Sequence, residues 1–468
     1  MGHKRPQYRR TRSKKVKHPS LLERINRDAA GIDCGSEAHF VAVPPERDEE
    51  PVRSFKTFTS DLQRLADWLE VCKIKTVAME STGVYWIPIF EILEERGFDV
   101  VLVNSRHVKN VPGRKSDVVD CQWIQELHSV GLLRGSFRPD AEIATLRAYL
   151  RHREKLVQTA ASHIRRMQKA LLEMNLQLDN VISDITGATG MRILRDVVAG
   201  VTDPEALAAH RDYRCRASEK EIAASLTGNY RAEHLFALRQ NLELYDTIQR
   251  QIRDCDAEVE TLLHELARKH DKSKGTLPRP RCKFKFCDNE PRFEIRDPLF
   301  RLSGVDLTQI DGIAPYTALR LIAEIGADMN RWPTCKHFTS WLTLAPKNKV
   351  SGARLISSRT QPSANRAAYL LRMSAMVLGR TSTALGAYYR RIAYRVGKPK
   401  AITATARKLA ILVYRMLKGE LNYADPGEQT YDAHYRERSL RNIRKRAQRL
   451  GFELVNLETG ELLHGAVS

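Results

Sequence analysis

Four acids in this chain have types and surroundings suited to phosphate chemistry, and a fifth residue, a serine, stands in a loop with no base beside it. Asp117 and Asp120 stand in Lys115-Ser116-Asp117-Val118-Val119-Asp120. Ser116 has the chemistry of a helix N-cap, because its hydroxyl can accept from a free first-turn N–H. Val118, Trp123, Ile124, Leu127 and Val130 continue an amphipathic helical pattern. Carboxylates three residues apart on a helix share a face and repel. Solvent at a dipole-favoured first turn relieves that repulsion. A divalent cation does so too, if further acids arrive from elsewhere. Asp33 closes Ala29-Ala30-Gly31-Ile32-Asp33, and Glu80 closes Thr76-Val77-Ala78-Met79-Glu80. Each sits where an apolar run gives out, on rigid backbone beside small residues that would let a phosphate come close. Mg²⁺ takes hard oxygen ligands and shares them with substrate phosphate, and two such ions can clamp the attacking and leaving oxygens of a phosphodiester. The fifth residue, Ser351, lies in Pro346-Lys347-Asn348-Lys349-Val350-Ser351-Gly352, a loop or hairpin. With no His or Asp base beside it, spacing alone leaves Ser351 as much a turn residue as a nucleophile.

The elements that must position these residues follow from periodicity. Apolar runs at 29–34, 38–43 and 52–58 predict three consecutive strands. A helix at 60–72, a strand at 75–79, a helix at 84–96 and a strand at 98–103 come next, and the acidic helix from 116 closes an α/β domain over 29–135. That order is the order of the ribonuclease H fold. In it the first and fourth strands are neighbours, which would set Asp33 beside Glu80 with the last helix delivering Asp117 and Asp120. Residues 140–271 predict an all-α region with long helices at 141–178 and 232–270. The spacing of Leu146, Leu150, Leu156, Val157, Ile164, Met167 and Leu171 suits either a helical bundle or an antiparallel coiled coil. A basic, Pro-rich stretch at 272–304 reads as a linker or a nucleic-acid-contacting loop. Residues 305–420 predict a second helical domain. In it Asp311-Gly312-Ile313-Ala314-Pro315 suits either a plain helix start or the hairpin of a helix–hairpin–helix module, whose N–H groups would meet a DNA phosphate. Basic helices carrying Arg366, Arg372, Arg380, Arg390, Arg391, Lys398, Lys400, Arg407 and Lys408 follow, and 421–468 reads as a basic helix and tail.

Composition narrows the partners. The 468 residues allow two or three domains, and a hydrophobic content of 42% supports real cores. The 77 Lys and Arg against 56 Asp and Glu leave a formal net charge of +21, which points to a polyanion bound through counterion release. Residues 1–28 form a basic arm with little to bury, disordered alone. A membrane surface would also attract this charge, but no apolar run spans a bilayer, no signal-peptide core follows the basic start, and the opening Met-Gly-His-Lys-Arg-Pro lacks a myristoylation signal. Eight scattered cysteines without a secretion signal predict free thiols. Cys282 and Cys287 are spaced widely for zinc. The expected location is the cytoplasm, at the nucleoid.

Together these pieces resemble the transposases of the insertion sequence 110 family, and within it the 1111 subgroup. The resemblance runs from about 29 to 450. Gly31-Ile32-Asp33, Met79-Glu80-Ser81-Thr82-Gly83 and Lys115-Ser116-Asp117 with Asp120 match its RuvC-like DEDD set. Asp311-Gly312-Ile313-Ala314-Pro315, Pro346 to Gly352, Ser357-Ser358, Asn365-Arg366 and Pro399-Lys400-Ala401-Ile402-Thr403 match its C-terminal transposase domain. Ala364 stands where many members have Gly. The resemblance implies that Asp33, Glu80, Asp117 and Asp120 hold Mg²⁺ and that Ser351 forms a covalent phosphoserine with DNA. It also implies a homo-oligomer, dimer or tetramer, whose composite sites draw acids and serine from different protomers. A structured guide RNA encoded by the element would pair with donor and target DNA. Two other readings use the same residues: a junction-resolving nuclease, which needs the acids but not the serine, and a non-catalytic nucleic-acid-binding protein.

Overall fold

The structure is a computed structural model describing residues 24–81, 83–104, 117–284, 287–352 and 354–455. The basic arm up to residue 23, Lys115 and Ser116 lie outside the described residues. The chain divides into two compact units, 1–138 and 139–468.

The first unit is a five-stranded sheet between two layers of helix. The strands are β1 (Ala29–Cys34), β2 (Ala38–Ala42), β3 (Val52–Lys56), β4 (Thr76–Glu80) and β5 (Asp99–Val103), and the spatial order is β3-β2-β1-β4-β5. β1 pairs antiparallel with β2 and parallel with β4, with Ile32 opposite Met79. β1 and β4 lie at the centre, buried on both faces, and so read as near-continuous apolar runs. Their period of two divides the side chains. Ala30, Ile32, Cys34, Val77 and Met79 face a core built with α1 (Thr59–Val71) and α2 (Trp86–Glu95). Gly31, Asp33, Ala78 and Glu80 occupy the alternate positions, on the face covered by α3 (Asp117–Ser129). Leu62, Leu65, Ala66 and Leu69 form the stripe that seats α1 on its side of the sheet. The element order and the β1–β4 adjacency match the ribonuclease H expectation, with boundaries shifted by one or two residues.

Among the described residues the second unit is helical apart from one hairpin. α4 (Ala141–Glu173) and α9 (Ala232–Lys269) run antiparallel: Glu142 meets His270 at 2.6 Å, Arg153 meets Asp256 at 2.5 Å and His163 meets Asn241 at 2.9 Å. The long helices of the sequence pattern thus pair with each other within one chain. α5 (Leu178–Val181), α6 (Ala188–Ala199), α7 (Pro204–Ala208) and α8 (Glu219–Ser225) cap one end of the pair around Met167, Leu171, Ile193, Leu207, Ile222 and Leu238. Toward the other end stand α10 (Arg296–Ser303), α11 (Pro315–Ile325), α12 (Cys335–Trp341), α13 (Arg366–Leu378), α14 (Ala384–Val396) and α15 (Lys398–Leu417). Glu154 of α4 ties them down by pairing with both Arg320 of α11 and Arg366 of α13. An exposed basic helix, α16 (Glu428–Arg449), follows.

Two expectations change here. The stretch 272–304 contains α10, with Leu299, Phe300 and Leu302 buried, so its Pro-rich first part misleads about the rest. Within that first part Arg281 pairs with Asp311, and Arg153 donates to the Asn289 carbonyl at 2.8 Å. The hairpin before α11 also faces inward. Ile310, Asp311 and Ile313 are buried, Asp311 accepts from Tyr423 at 3.3 Å, and a side chain at Gly312 would meet the Ser374 carbonyl at 3.0 Å. The plain helix start, with Pro315 in the first turn, describes it better than a phosphate-binding hairpin.

Candidate functional site

Asp33 and Glu80 are brought together by topology. β1 and β4 are parallel neighbours in a register that continues from Ile32–Met79, so the next pair along the strands is Asp33 and Glu80. Both occupy positions on the α3 face at the carboxyl ends of their strands, where ligand sites form in open sheets. Glu80 is buried and Asp33 half-buried.

α3 supplies the third acid. Its sheet-facing stripe is Cys121, Ile124, Gln125 and His128, and Ile124 packs on Ala78 and Val103. The helix touches β1 through backbone. A Cβ built at Gly31 would lie 2.3 Å from the Gln125 amide nitrogen and 2.5 Å from the Cys121 carbonyl. Gln125 Nε2 donates to the Ala29 carbonyl at 3.2 Å and locks the register of helix on strand. The small residue beside Asp33 therefore admits a helix, not a phosphate. Asp120, half-buried, precedes Cys121 on the turn nearest the strand ends. Asp117 opens the helix, and its side chain lies outside the described residues.

Electrostatics record the convergence of the acids. Burial pushes the Cys121 thiol up to about 12, with the negative charges of Asp33 and, behind it, Asp120 adding to the shift. Burial also raises the Cys34 thiol, helped by Asp33 and then Glu80. Both shifts keep the thiols protonated at neutral pH, Cys121 on the α3 face and Cys34 on the other.

The donor set is of the right kind for a hard divalent cation, being all carboxylate oxygen. Among the described residues no group of three or more His, Cys, Asp and Glu stands arranged to hold one. Asp33, Glu80 and Asp120 share a face and the donor type of such an ion, without standing in a metal-holding arrangement.

Ser351 belongs to the second unit. It ends β6 (Lys349–Ser351), which pairs antiparallel with β7 (Arg354–Ser357) across a tight turn. Gly352 takes φ +53°, a left-handed conformation that glycine adopts without strain, and nothing lies within 4 Å of its missing side chain. Its role is the turn, which sets Ser351 at the strand end. Every residue of β6 is exposed, Ser351 included. Sequence reasoning passed over Gln125, whose partner Ala29 lies on a strand distant in the chain.

Among the described residues no helix is long and apolar enough to cross a membrane. No curated protein matches the chain. A family model described as a transposase, of the DEDD IS110 type, matches residues 30–176. A second, described as the transposase IS116/IS110/IS902 family, matches residues 306–390. The first match takes in the acids and the second takes in Ser351. Two matches to one family, in the two units and in chain order, make this chain an IS110-family transposase, an enzyme that acts on DNA.

Proposed function

We propose that this transposase moves its own insertion sequence with a metal-dependent DEDD site and a serine nucleophile, in the manner of the 1111 subgroup. The observation that carries the metal half is the shared face of Asp33, Glu80 and Asp120, with Asp117 one turn ahead on the same helix. Those four residues would hold Mg²⁺, which when bound would polarise a phosphodiester and lower the pKa of a nearby hydroxyl. Ser351 Oγ then attacks phosphorus. The new O–P bond makes a phosphoserine, one P–O bond to deoxyribose breaks, and the released deoxyribose oxygen takes the proton. A hydroxyl from the other DNA reverses the step, re-forming a phosphodiester and returning serine. Exposure of Ser351 on a hairpin supports a role in which it is presented to a site completed by a partner subunit of a homo-oligomer. The charge of +21 supports a second polyanion beside DNA, an element-encoded guide RNA that selects donor and target, with the protein working at the nucleoid.

The test is a denaturing gel of end-labelled donor DNA incubated with the protein and Mg²⁺. The wild type gives a protein–DNA adduct, Ser351→Ala gives none, and Asp120→Asn gives neither adduct nor recombinant. Cleavage without any adduct would replace this reading with a junction-resolving nuclease. The guide predicts a discrete transcript from beside the gene that co-purifies through moderate salt. Heterogeneous RNA stripped by that salt would remove it.

A further inference from the structure

The Pro399-Lys400-Ala401-Ile402-Thr403 motif and Ser357-Ser358 have no part in the chemistry above, yet they meet. Together with α14 they line an open groove of about 970 Å³. Its cationic side chains are Arg359, Lys400, Arg407 and Lys408, and no Asp or Glu lines it among the described residues. Ser357, Ser358, Thr360 and Thr403 add hydroxyls, and Tyr388, Ile356 and Ile411 give it an apolar wall. The N-terminus of α15 also opens here. Its N-cap is Gly397 at φ +88°, which offers no side-chain oxygen to the first N–H groups.

The positive charge is concentrated. Lys408 lies 5.0 Å above the Tyr388 ring and Arg391 lies 5.5 Å from the same ring. Burial lowers the Lys408 ammonium pKa, and Arg438 and Arg391 lower it further. Arg407 Nε is buried without a hydrogen-bond partner among the described residues. Cations crowded against one another around an unmet donor are stabilised by an anion. Spread along an open groove beside an aromatic wall, they suit a sugar-phosphate strand better than a single small anion.

The groove also lies beside the serine. Ile356 and Ser357 line it, and Ser357 pairs with Lys349, two residues from Ser351 on β6. At about 3.3 Å per residue Ser351 stands roughly 7 Å along β6 from the residue that pairs with this wall of the groove. The backbone bond from Lys347 N to the Arg359 carbonyl, 3.0 Å, holds the two walls at the hairpin's base together.

We propose that this groove seats the DNA strand that Ser351 attacks, with Arg359, Lys400, Arg407 and Lys408 gripping its phosphates. This rests on the reading of Ser351 as the nucleophile, and it deepens that reading by naming where the strand lies.

The experiment measures binding of a fluorescein-labelled single-stranded DNA, its duplex and the RNA of the same sequence to the full-length protein across a salt series. The variants are Arg359→Glu with Lys400→Glu, both exposed, and a charge-matched control, Arg165→Glu with Lys220→Glu, on the helical region. The groove variant weakens DNA binding at least about tenfold at ~0.1 M salt and makes the slope of log K against log salt shallower by about 1–2, as expected for one or two lost phosphate contacts. The control stays within about twofold. Equal weakening in the control, unchanged DNA binding in the groove variant, or a loss confined to RNA overturns the groove. The adduct assay tests the nucleophile separately: a wild-type adduct with unimpaired groove-variant binding sinks the groove alone, and a wild type that binds no DNA sinks both.

Discussion

Gly31→Ala adds one methyl group, and the structure says where it goes. An ideal Cβ at Gly31 would lie 2.3 Å from the Gln125 amide nitrogen, 2.5 Å from the Cys121 carbonyl oxygen and 2.8 Å from the Gln125 Cα. Ordinary carbon contacts begin at about 3.5 Å, so α3 has to retreat by about 1 Å. All three atoms are helix backbone, and no rotamer change can move them aside. Gly31 is not among the residues of positive φ, so the residue itself accepts alanine and the whole cost is collision. Overpacking of this kind costs about 1–3 kcal/mol. For a unit of this size about 2 kcal/mol lowers Tm by on the order of 5–10 °C. On the proposed metal site the functional loss is larger, because the helix that retreats carries Asp120. A misplacement of about 1 Å among reacting groups costs on the order of 100-fold in rate. Thermal unfolding followed by circular dichroism, and recombination of a donor and target plasmid pair, read the two effects. A variant with unchanged Tm and recombination within twofold of wild type would refute the claim that this glycine exists for the helix contact.

Two further outcomes follow from buried charge. Arg153 is 2% exposed and donates to Asp256 at 2.5 Å, to the Asn289 carbonyl at 2.8 Å and to the Tyr316 hydroxyl at 3.2 Å. Arg153→Ala should destabilise the second unit by about 1.5–3 kcal/mol, since a buried side chain loses its charged and polar hydrogen bonds while half-buried Asp256 keeps some access to solvent; a loss under about 1 kcal/mol in urea unfolding would contradict this. In the first unit, burial lowers the His39 and His128 pKa values below the usual 6.5, with Asp99 partly opposing the shift at His128. The folded state thus binds fewer protons than the unfolded chain between the lowered values and 6.5, and stability rises with pH there. The first unit should hold its full His contribution above pH ~6.5 and lose it as the pH falls below. Tm scans from pH 8 to about 5 on the wild type and on His39→Gln with His128→Gln check it, the variant losing less than the wild type.

Most of the α/β unit was legible because its signals are local and strong. A strand buried on both faces reads as an unbroken apolar run, and Leu62, Leu65, Ala66 and Leu69 mark α1 by spacing alone. The pairing of Asp33 with Glu80 was legible one level up, from the order of elements. What the sequence hid depends on contacts between distant segments. Gly31 beside Asp33 suggests room for a phosphate, and only the packed helix shows that Gln125 fills it. Asp311-Gly312-Ile313-Ala314-Pro315 has the local form of a phosphate-binding hairpin, and burial against α13, Arg281 and Tyr423 removes the open face such a hairpin needs. The cationic groove draws Arg359, Tyr388 and Lys400 from three segments with no common periodicity.

The acids and the serine are held to different tolerances, and the difference bears on mechanism. Asp33 and Glu80 stand on strands that are themselves paired on both sides, under a helix fixed at Gly31 and by the Gln125–Ala29 hydrogen bond. Moving either acid means moving a sheet. Ser351 stands on a two-stranded hairpin whose strand residues are almost all exposed, Val350, Leu355 and Ile356 among them. An isolated pair of strands is marginally stable in water, and large apolar side chains left at its surface favour whatever covers them. On the proposed function, a rigid acid-bearing half and an exposed serine suit a reaction that must be withheld until both DNAs are aligned. On that reading the acids can be pre-organised at all times without risk to the genome, because the attacking oxygen would reach them only when strand and hairpin are held together.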